Sequence, residues 1–302
     1  MVSMEVNHPG RASGLVAIAS TALCWSIAGV FVKLVDWNPF AIACGRSLVA
    51  AIFIAVWLRK AWLRFSMVQV GAAAASAATM LLFIYANKAT TSANAILLQY
   101  GAPVYVAILG AWILKEKPRA EHWLAFAAIF AGMGLFFMDG LSSGHLAGDI
   151  ASIVSGLAFA IYFVLMRKQK DGSPLESALL AHIITAVVAF GIALFLPAPV
   201  FTPKALGAIA ALGLVQIGLA SVLFAFGIKR VKAVEAILVA VLEPVFNPVW
   251  VFLAVGEKPS ANALAGGAVI VAAVVVSTLV SVRRDSQAAA AATAAAERAP
   301  GA

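Results

Sequence analysis

Leu97–Pro118 reads LLQYGAPVYVAILGAWILKEKP, and Leu238–Pro259 reads LVAVLEPVFNPVWVFLAVGEKP. The two segments lie 141 residues apart and align without a gap. The register holds over residues 83–132 and 224–273, where Phe83, Lys88, Ile96, Leu97, Pro103, Val104, Glu116, Lys117, Pro118 and Ile129 all recur. Apolar stretches match one another easily by chance. A shared Ala-Ile-Leu, a shared Pro-Val and a shared Glu-Lys-Pro in one register do not, so the chain is a tandem duplication.

The duplication sits in a chain built for a bilayer. Its 302 residues are 63% apolar and only 11% charged, with a mean hydropathy of +1.00. Soluble domains run near half apolar and a quarter charged. About 20 apolar residues suffice to cross the hydrocarbon core as a helix. Ten such spans can be drawn, at 15–34, 39–58, 67–87, 92–114, 122–138, 147–166, 176–196, 205–228, 233–254 and 262–282. The expected fold is therefore an all-α membrane protein of two five-helix repeats, 13–141 and 142–284. Residues 1–12 form a short leading segment, and the alanine-rich tail 285–302 is expected to be disordered or weakly helical. Because five is odd, the second repeat enters the membrane upside down.

Charge sets the orientation. Arg11, Arg59, Lys60, Arg64, Lys115, Lys117, Arg119, Arg167, Lys168, Lys170, Lys229, Arg230, Lys232, Arg283, Arg284 and Arg298 fall on one face. The other face has Lys33, Lys88, Lys204 and Lys258, and Arg46 lies within a span. The positive-inside rule then places both termini in the cytoplasm. The same bias explains a pI near 9.7 without a nucleic-acid partner. The first span lacks the small-residue cleavage site of a signal peptide before Lys33 and Asp36. Trp37, Trp57, Trp62 and Trp123 lie near span ends, as interfacial belt residues do.

The two quoted segments, each closing a five-span half, resemble the EamA-type repeat of the drug/metabolite transporter superfamily. The stretch Cys44–Ala51, CGRSLVAA, resembles that repeat's arginine-bearing segment. The resemblance covers about residues 15–280, and among ten-span members it is nearest the bacterial exporters of amino acids, the YddG-like aromatic amino acid exporters included. It implies a multi-pass protein of a bacterial-type inner (plasma) membrane. Inverted repeats of this kind place the substrate between them near the midplane.

The candidate binding residues are the polar and aromatic groups inside the spans. Glu243 is costly at mid-span unless it faces protein or water, which makes it a functional candidate by default. Ala236, Ala240, Glu243 and Asn247 share one helical face. In the repeat, Gln99 corresponds to Ala240 and Ala102 to Glu243, so each half carries a polar residue where the other has alanine. A cavity for an asymmetric solute requires such symmetry-breaking; alternatively, Glu243 only tethers neighbouring helices. Tyr85, Tyr100, Trp25 and Tyr162 are candidates for contacting an apolar or aromatic group, or a cation. His182 could bond substrate or relay protons, and Arg46 could anchor a carboxylate or brace the fold; Gln216 and Asn87 are weaker candidates. Pro103, Pro244 and Pro248 free the carbonyls of Gln99, Ala240 and Pro244, which suggests kinks or hinges. Small pairs such as Ala128 with Gly132 and Ala263 with Gly267 read as helix-packing surfaces. Cys24 and Cys44 read as packing residues within spans.

These features point to a secondary transporter that exports small amphipathic metabolites, aromatic or large neutral amino acids first, by alternating access. Efflux of lipophilic cations with Glu243 as charge partner is the alternative, followed by a passive channel. An enzyme is not expected. No metalloprotease or phosphate-loop motif is present, and His8, His122, His145 and His182 are scattered. No cofactor or metal is expected. The partners are the lipid bilayer and a small-molecule substrate, and the sequence does not set the oligomeric state, a monomer being compatible with it.

Overall fold

The computed structural model describes residues 10–32, 34–60, 63, 65–141, 146–256 and 258–298. His8, Lys33, Trp62, Arg64, His145 and Glu257, which belong to the segments and charge sets above, lie outside the described residues. Ten helices are long and apolar enough to cross a membrane, and no strand occurs among the described residues. They are span 1 (Arg11–Val32), span 2 (Pro39–Leu58), span 3 (Met67–Ala89), span 4 (Ala93–Leu114) and span 5 (Ala120–Gly140). Span 6 (Leu146–Lys168), span 7 (Pro174–Ala193), span 8 (Pro203–Ile228), span 9 (Ala233–Ala254) and span 10 (Ala261–Ala288) complete the second half.

Local chemistry starts the spans where the hydropathy places them. Asn38 accepts the amide of Ala41 at 2.9 Å ahead of Pro39, Ser66 accepts Gln69, Thr91 accepts Asn94, and Thr202 accepts Ala205 ahead of Pro203. Each cap satisfies one of the four amides a helix start leaves unpaired. The last helix runs from Ala261 to Arg298, past the start of the tail expected to be disordered or weakly helical. Its extension past Arg284 is rich in alanine, the residue with the highest helix propensity.

Two spans are broken at matching places. In span 4 the helix ends at Gln99 and resumes at Ala102; in span 9 it ends at Ala240 and resumes at Leu242. Tyr100 and Val241, related by the 141-residue register, sit at the two breaks. Pro103 and Pro244 follow each break and cannot donate to the carbonyls of Gln99 and Ala240. Pro248 does not sit at a break. It lies inside the continuous helix Leu242–Val255, which runs on past the missing bond.

The packing between halves is symmetric under exchange. Span 3 packs on span 6 as span 8 packs on span 1, span 4 on span 6 as span 9 on span 1, and span 3 on span 7 as span 8 on span 2. The pairs 2–7 and 5–10 map onto themselves. Individual bonds follow the same exchange: Ser155 donates to the carbonyl of Thr79 at 2.9 Å, and Thr21 to that of Ala220 at 3.4 Å. Spans 5 and 10 meet through small residues, as the sequence leads one to expect. A Cβ on Gly132 would stand 3.0 Å from the carbonyl oxygen of Gly266 and 2.8 Å from Ile270.

One end of the bundle is tied by ions. Arg167, at the end of span 6, donates to Glu116 at 2.8 Å and to the carbonyls of Ile228 and Lys229. Glu116 also accepts the amide of Ala233, the first residue of span 9. Nearby, Arg11 pairs with Glu235 and with Asp285, and Asp285 pairs with Arg119. Spans 1, 6, 8, 9 and 10 are thus joined at this end.

Candidate functional site

The two breaks meet. Tyr100, at the break of span 4, donates its hydroxyl to Oε2 of Glu243, two residues beyond the break of span 9, at 3.1 Å. They face a cavity of about 230 Å³ between the halves. Glu243, Pro244 and Asn247 form its span 9 wall, so the polar face expected from helical spacing is turned inward. On the span 4 side, Gln99 donates to Ser155 at 2.8 Å, and Ser155 in turn donates to Thr79. This bonded chain holds spans 3, 4 and 6 together behind the cavity wall.

Gly156 lets span 4 come this close. A Cβ there would sit 2.5 Å from the carbonyl oxygen of Gln99, the group that Pro103 leaves without its helical donor. Only a residue without a side chain fits against the break.

The opposite wall is basic. Arg46 of span 2 reaches Gln216 of span 8 at 3.4 Å, and its buried Nε has no partner among the described residues. Gln216 and Ile217 are presented by a π-helical stretch, Leu212–Leu219. Such wide turns often occur at functional sites because they re-aim side chains. Gly213 permits the approach, since a Cβ there would stand 2.9 Å from the carbonyl oxygen of Arg46. His182 of span 7 is 2% exposed and shares a 3.1 Å hydrogen bond with Ser221 of span 8; its Nδ1 has no partner among the described residues.

A third side is aromatic. The Trp25 ring centroid lies 6.0 Å from that of Phe159 and 5.8 Å from that of Phe224, and Tyr162 stacks on Phe224 at 5.4 Å. Trp25, Phe159 and Tyr162 line the cavity beside Met80 and Phe83.

Seven of the eight residues singled out from sequence for binding therefore share one cavity: Trp25, Arg46, Gln99, Tyr100, Tyr162, His182 and Glu243. Tyr85 does not join them. It is 48% exposed on the outside of span 3, because it follows Phe83 by two residues, about 200° around the helix. Of the prolines, Pro244 borders the cavity, Pro103 is buried behind it, and Pro248 borders an outer groove. Asn87 stays on its own helix, donating to the Phe83 carbonyl at 2.9 Å. Sequence reasoning passed over Phe159, Ser155 and Ser221. Phe159 precedes Tyr162 by one helical turn and could have been found that way; the serines carried no signal.

The acid of span 6, Asp149, has structural partners. It accepts from Thr90 at 2.9 Å and Asn94 at 3.3 Å, tying spans 3, 4 and 6 away from the cavity. Cys24 and Cys44 are free thiols. Among the described residues, no group of three His, Cys, Asp or Glu is arranged to hold a metal ion.

Comparison with known proteins agrees with this architecture. An uncharacterized transporter of Archaeoglobus fulgidus is 26% identical over 270 residues, covering 83% of this chain and 92% of its own. The uncharacterized transporter YwfM of Bacillus subtilis is 27% identical over 267 residues, covering 81% and 86%. Solute carrier family 35 member G1 of the mouse is 28% identical over 179 residues, 51% of this chain and 47% of its own. A crystal structure with a TM-score of 0.78 and 19% identity, spanning 90% of this chain and 98% of the other, shares the fold. The profile of the EamA-like transporter family matches residues 12–138 and, a second time, residues 146–279. Two copies of one family unit thus account for the duplication, and the chain belongs to the EamA-like transporter family.

Proposed function

We propose that this transporter exports a zwitterionic amino acid with an aromatic or large aliphatic side chain across a bacterial-type inner membrane. One observation carries the reading: a single cavity holds a guanidinium, Arg46, a carboxylate, Glu243, and an aromatic wall of Trp25, Phe159 and Tyr162. The guanidinium suits the substrate carboxylate, and its Nε, without a partner among the described residues, leaves a donor for it. Glu243 suits the α-ammonium group, and the rings take the side chain.

The transport cycle we infer is alternating access between inverted repeats. Exchange-symmetric packing of the halves supports a two-fold relation, and an odd number of spans per half lays that axis in the membrane plane. With both termini cytoplasmic, the ion-paired end around Arg167 and Glu116 is the inner one. Ion pairs across that end favour a gated carrier over an open channel.

Lipophilic-cation efflux is the second reading, favoured by a carboxylate set beside aromatic rings. Arg46 in the same cavity weighs against it, because a cation without a carboxylate of its own would meet an uncompensated guanidinium. Catalysis is not part of the proposal. His182 and Ser221 are within hydrogen-bond reach, but among the described residues His182 Nδ1 lacks the orienting partner that activates such a pair.

Counterflow in proteoliposomes tests the proposal. Purified protein should exchange at least one labelled aromatic or large neutral amino acid with saturable kinetics. Transport of lipophilic cations with no amino acid exchange would give the second reading the place of the first.

A further inference from the structure

A groove of about 560 Å³ runs between spans 5 and 10 on the outside of the bundle, floored by small residues such as Ala125, Ala128 and Ala272. Along span 10 it extends from Val269 to Arg284, about 22 Å at a rise of 1.5 Å per residue. One leaflet's share of the hydrocarbon core is about 15 Å deep, so the groove is long enough for an acyl chain and reaches past it to the headgroup level.

Its end is charged, and the charges are sorted by exposure. Arg284 donates to Glu121 at 2.8 Å, with the arginine side chain 58% exposed and the glutamate 7%. Asp285 is 20% exposed and is held by Arg11 and Arg119. Arg283 is exposed beside Arg284. The acids are turned inward and engaged, while Arg283 and Arg284 face outward. Arg284 spends one nitrogen on Glu121, and the rest of its five-donor fork remains for an anion. A second outer groove, about 530 Å³ along Phe136, Val245 and Leu264, has no charged residue in its lining among the described residues. Both grooves can hold lipid tails, and the first also offers a guanidinium to a headgroup.

We propose that the groove between spans 5 and 10 binds one anionic glycerophospholipid, with an acyl chain along Ala125, Ala128 and Ala272 and the phosphate on Arg284 and Arg283. The site is independent of the central cavity and of the substrate assigned to it.

The test uses the full chain in micelles containing equal parts phosphatidylglycerol and phosphatidylcholine, read by native mass spectrometry, and in nanodiscs of either lipid, read by thermal unfolding. Wild type should retain phosphatidylglycerol several-fold over phosphatidylcholine and melt several degrees higher in its nanodiscs. Inorganic phosphate at matched ionic strength should reproduce none of that shift. Arg284→Gln also strips Glu121 of its partner, so each variant is scored by the difference between the two lipids rather than by its melting temperature. Arg283→Gln with Arg284→Gln should abolish the difference, and Arg284→Lys should keep most of it. Ala128→Phe, which fills the groove and leaves both arginines, should also abolish phosphatidylglycerol retention. Equal retention of the two lipids by wild type, a preference that survives both the arginine and the Ala128 variants, a full shift from phosphate alone, or a lipid-insensitive dimer closed over this groove would each overturn the proposal.

Discussion

Spans 4 and 9 carry the same backbone event and different chemistry. Both helices break at the same register position and resume just ahead of a proline, Pro103 or Pro244. Yet span 4 places Gln99 before its break and alanine after it, whereas span 9 places alanine before and Glu243 after. The break is an architectural inheritance of the duplication, because it follows from a missing amide that each copy retains. The polar groups diverged, and the cavity between two related halves became chemically one-sided. If the breaks move and Glu243 binds substrate, as proposed, conformational machinery and recognition occupy the same few residues but are separable by substitution.

The largest expected effect comes from erasing the difference itself. Glu243→Gln should lower amino acid transport in proteoliposomes by roughly tenfold or more, since a hydrogen bond to a charged group contributes about 1.5–3 kcal/mol. Its thermal stability should stay near wild type, because the carboxamide that replaces the carboxylate can still accept from Tyr100 and carries no charge into the membrane. Undiminished transport would make Glu243 a tether between helices and leave the asymmetry without a role in recognition.

Tyr100→Phe comes next, and probes the link between the two breaks. It removes the 3.1 Å bond to Glu243 and keeps the ring. A single hydrogen bond contributes about 0.5–1.5 kcal/mol, so transport should fall roughly three- to tenfold with the substrate KM rising. A loss as large as that of Glu243→Gln would mean that Tyr100 contacts the substrate directly.

Much of this could be read from the chain before any coordinates. The spans follow from hydropathy, and the duplication follows from a 141-residue register that Pro103 and Pro244 share. Seven binding candidates converge because intramembrane polar groups are expensive and must face protein or water. What escaped notice lacks a one-residue signature. The π-helical stretch Leu212–Leu219 contains no proline to announce it; it arises where Gly213 and Gly218 press against Val49 and Phe53 of span 2. The partner of Gln99, Ser155, lies 56 residues away and is set by how spans 4 and 6 cross. Pro248 looked equivalent to Pro244 by composition, but its place inside a continuous helix depends on packing that the sequence does not spell out.

Smaller effects should follow from the prolines. Pro103→Ala and Pro244→Ala each return an amide that can close the break, a gain of about 0.5–1.5 kcal/mol for the continuous helix. A straightened span 4 or span 9 would pull Tyr100 or Glu243 off its partner. Transport should slow a few-fold in each, with Pro244→Ala the slower because Pro244 borders the cavity and Pro103 does not. Pro248→Ala should change transport less than either. If Pro103→Ala and Pro248→Ala were equally harmful, the matched breaks would lose their claim to be the moving parts.

The smallest expected effect is the sharpest control on the whole comparison. Tyr85 is a tyrosine within span 3, as attractive on chemistry alone as Tyr100, and its repeat partner in span 8 is Phe226. Both are outside: Tyr85 is 48% exposed and Phe226 41%. Here the two halves differ by a hydroxyl, as spans 4 and 9 differ by polar groups, but the difference points toward the bilayer rather than into the cavity. Tyr85→Phe makes the halves alike at this position. If divergence matters only where it faces the cavity, transport rate, KM and melting temperature should all remain within experimental scatter of wild type. A measurable loss of transport in Tyr85→Phe would show that the outer surface of span 3 takes part in the cycle, and the division between inherited scaffold and diverged cavity would have to be redrawn to include it.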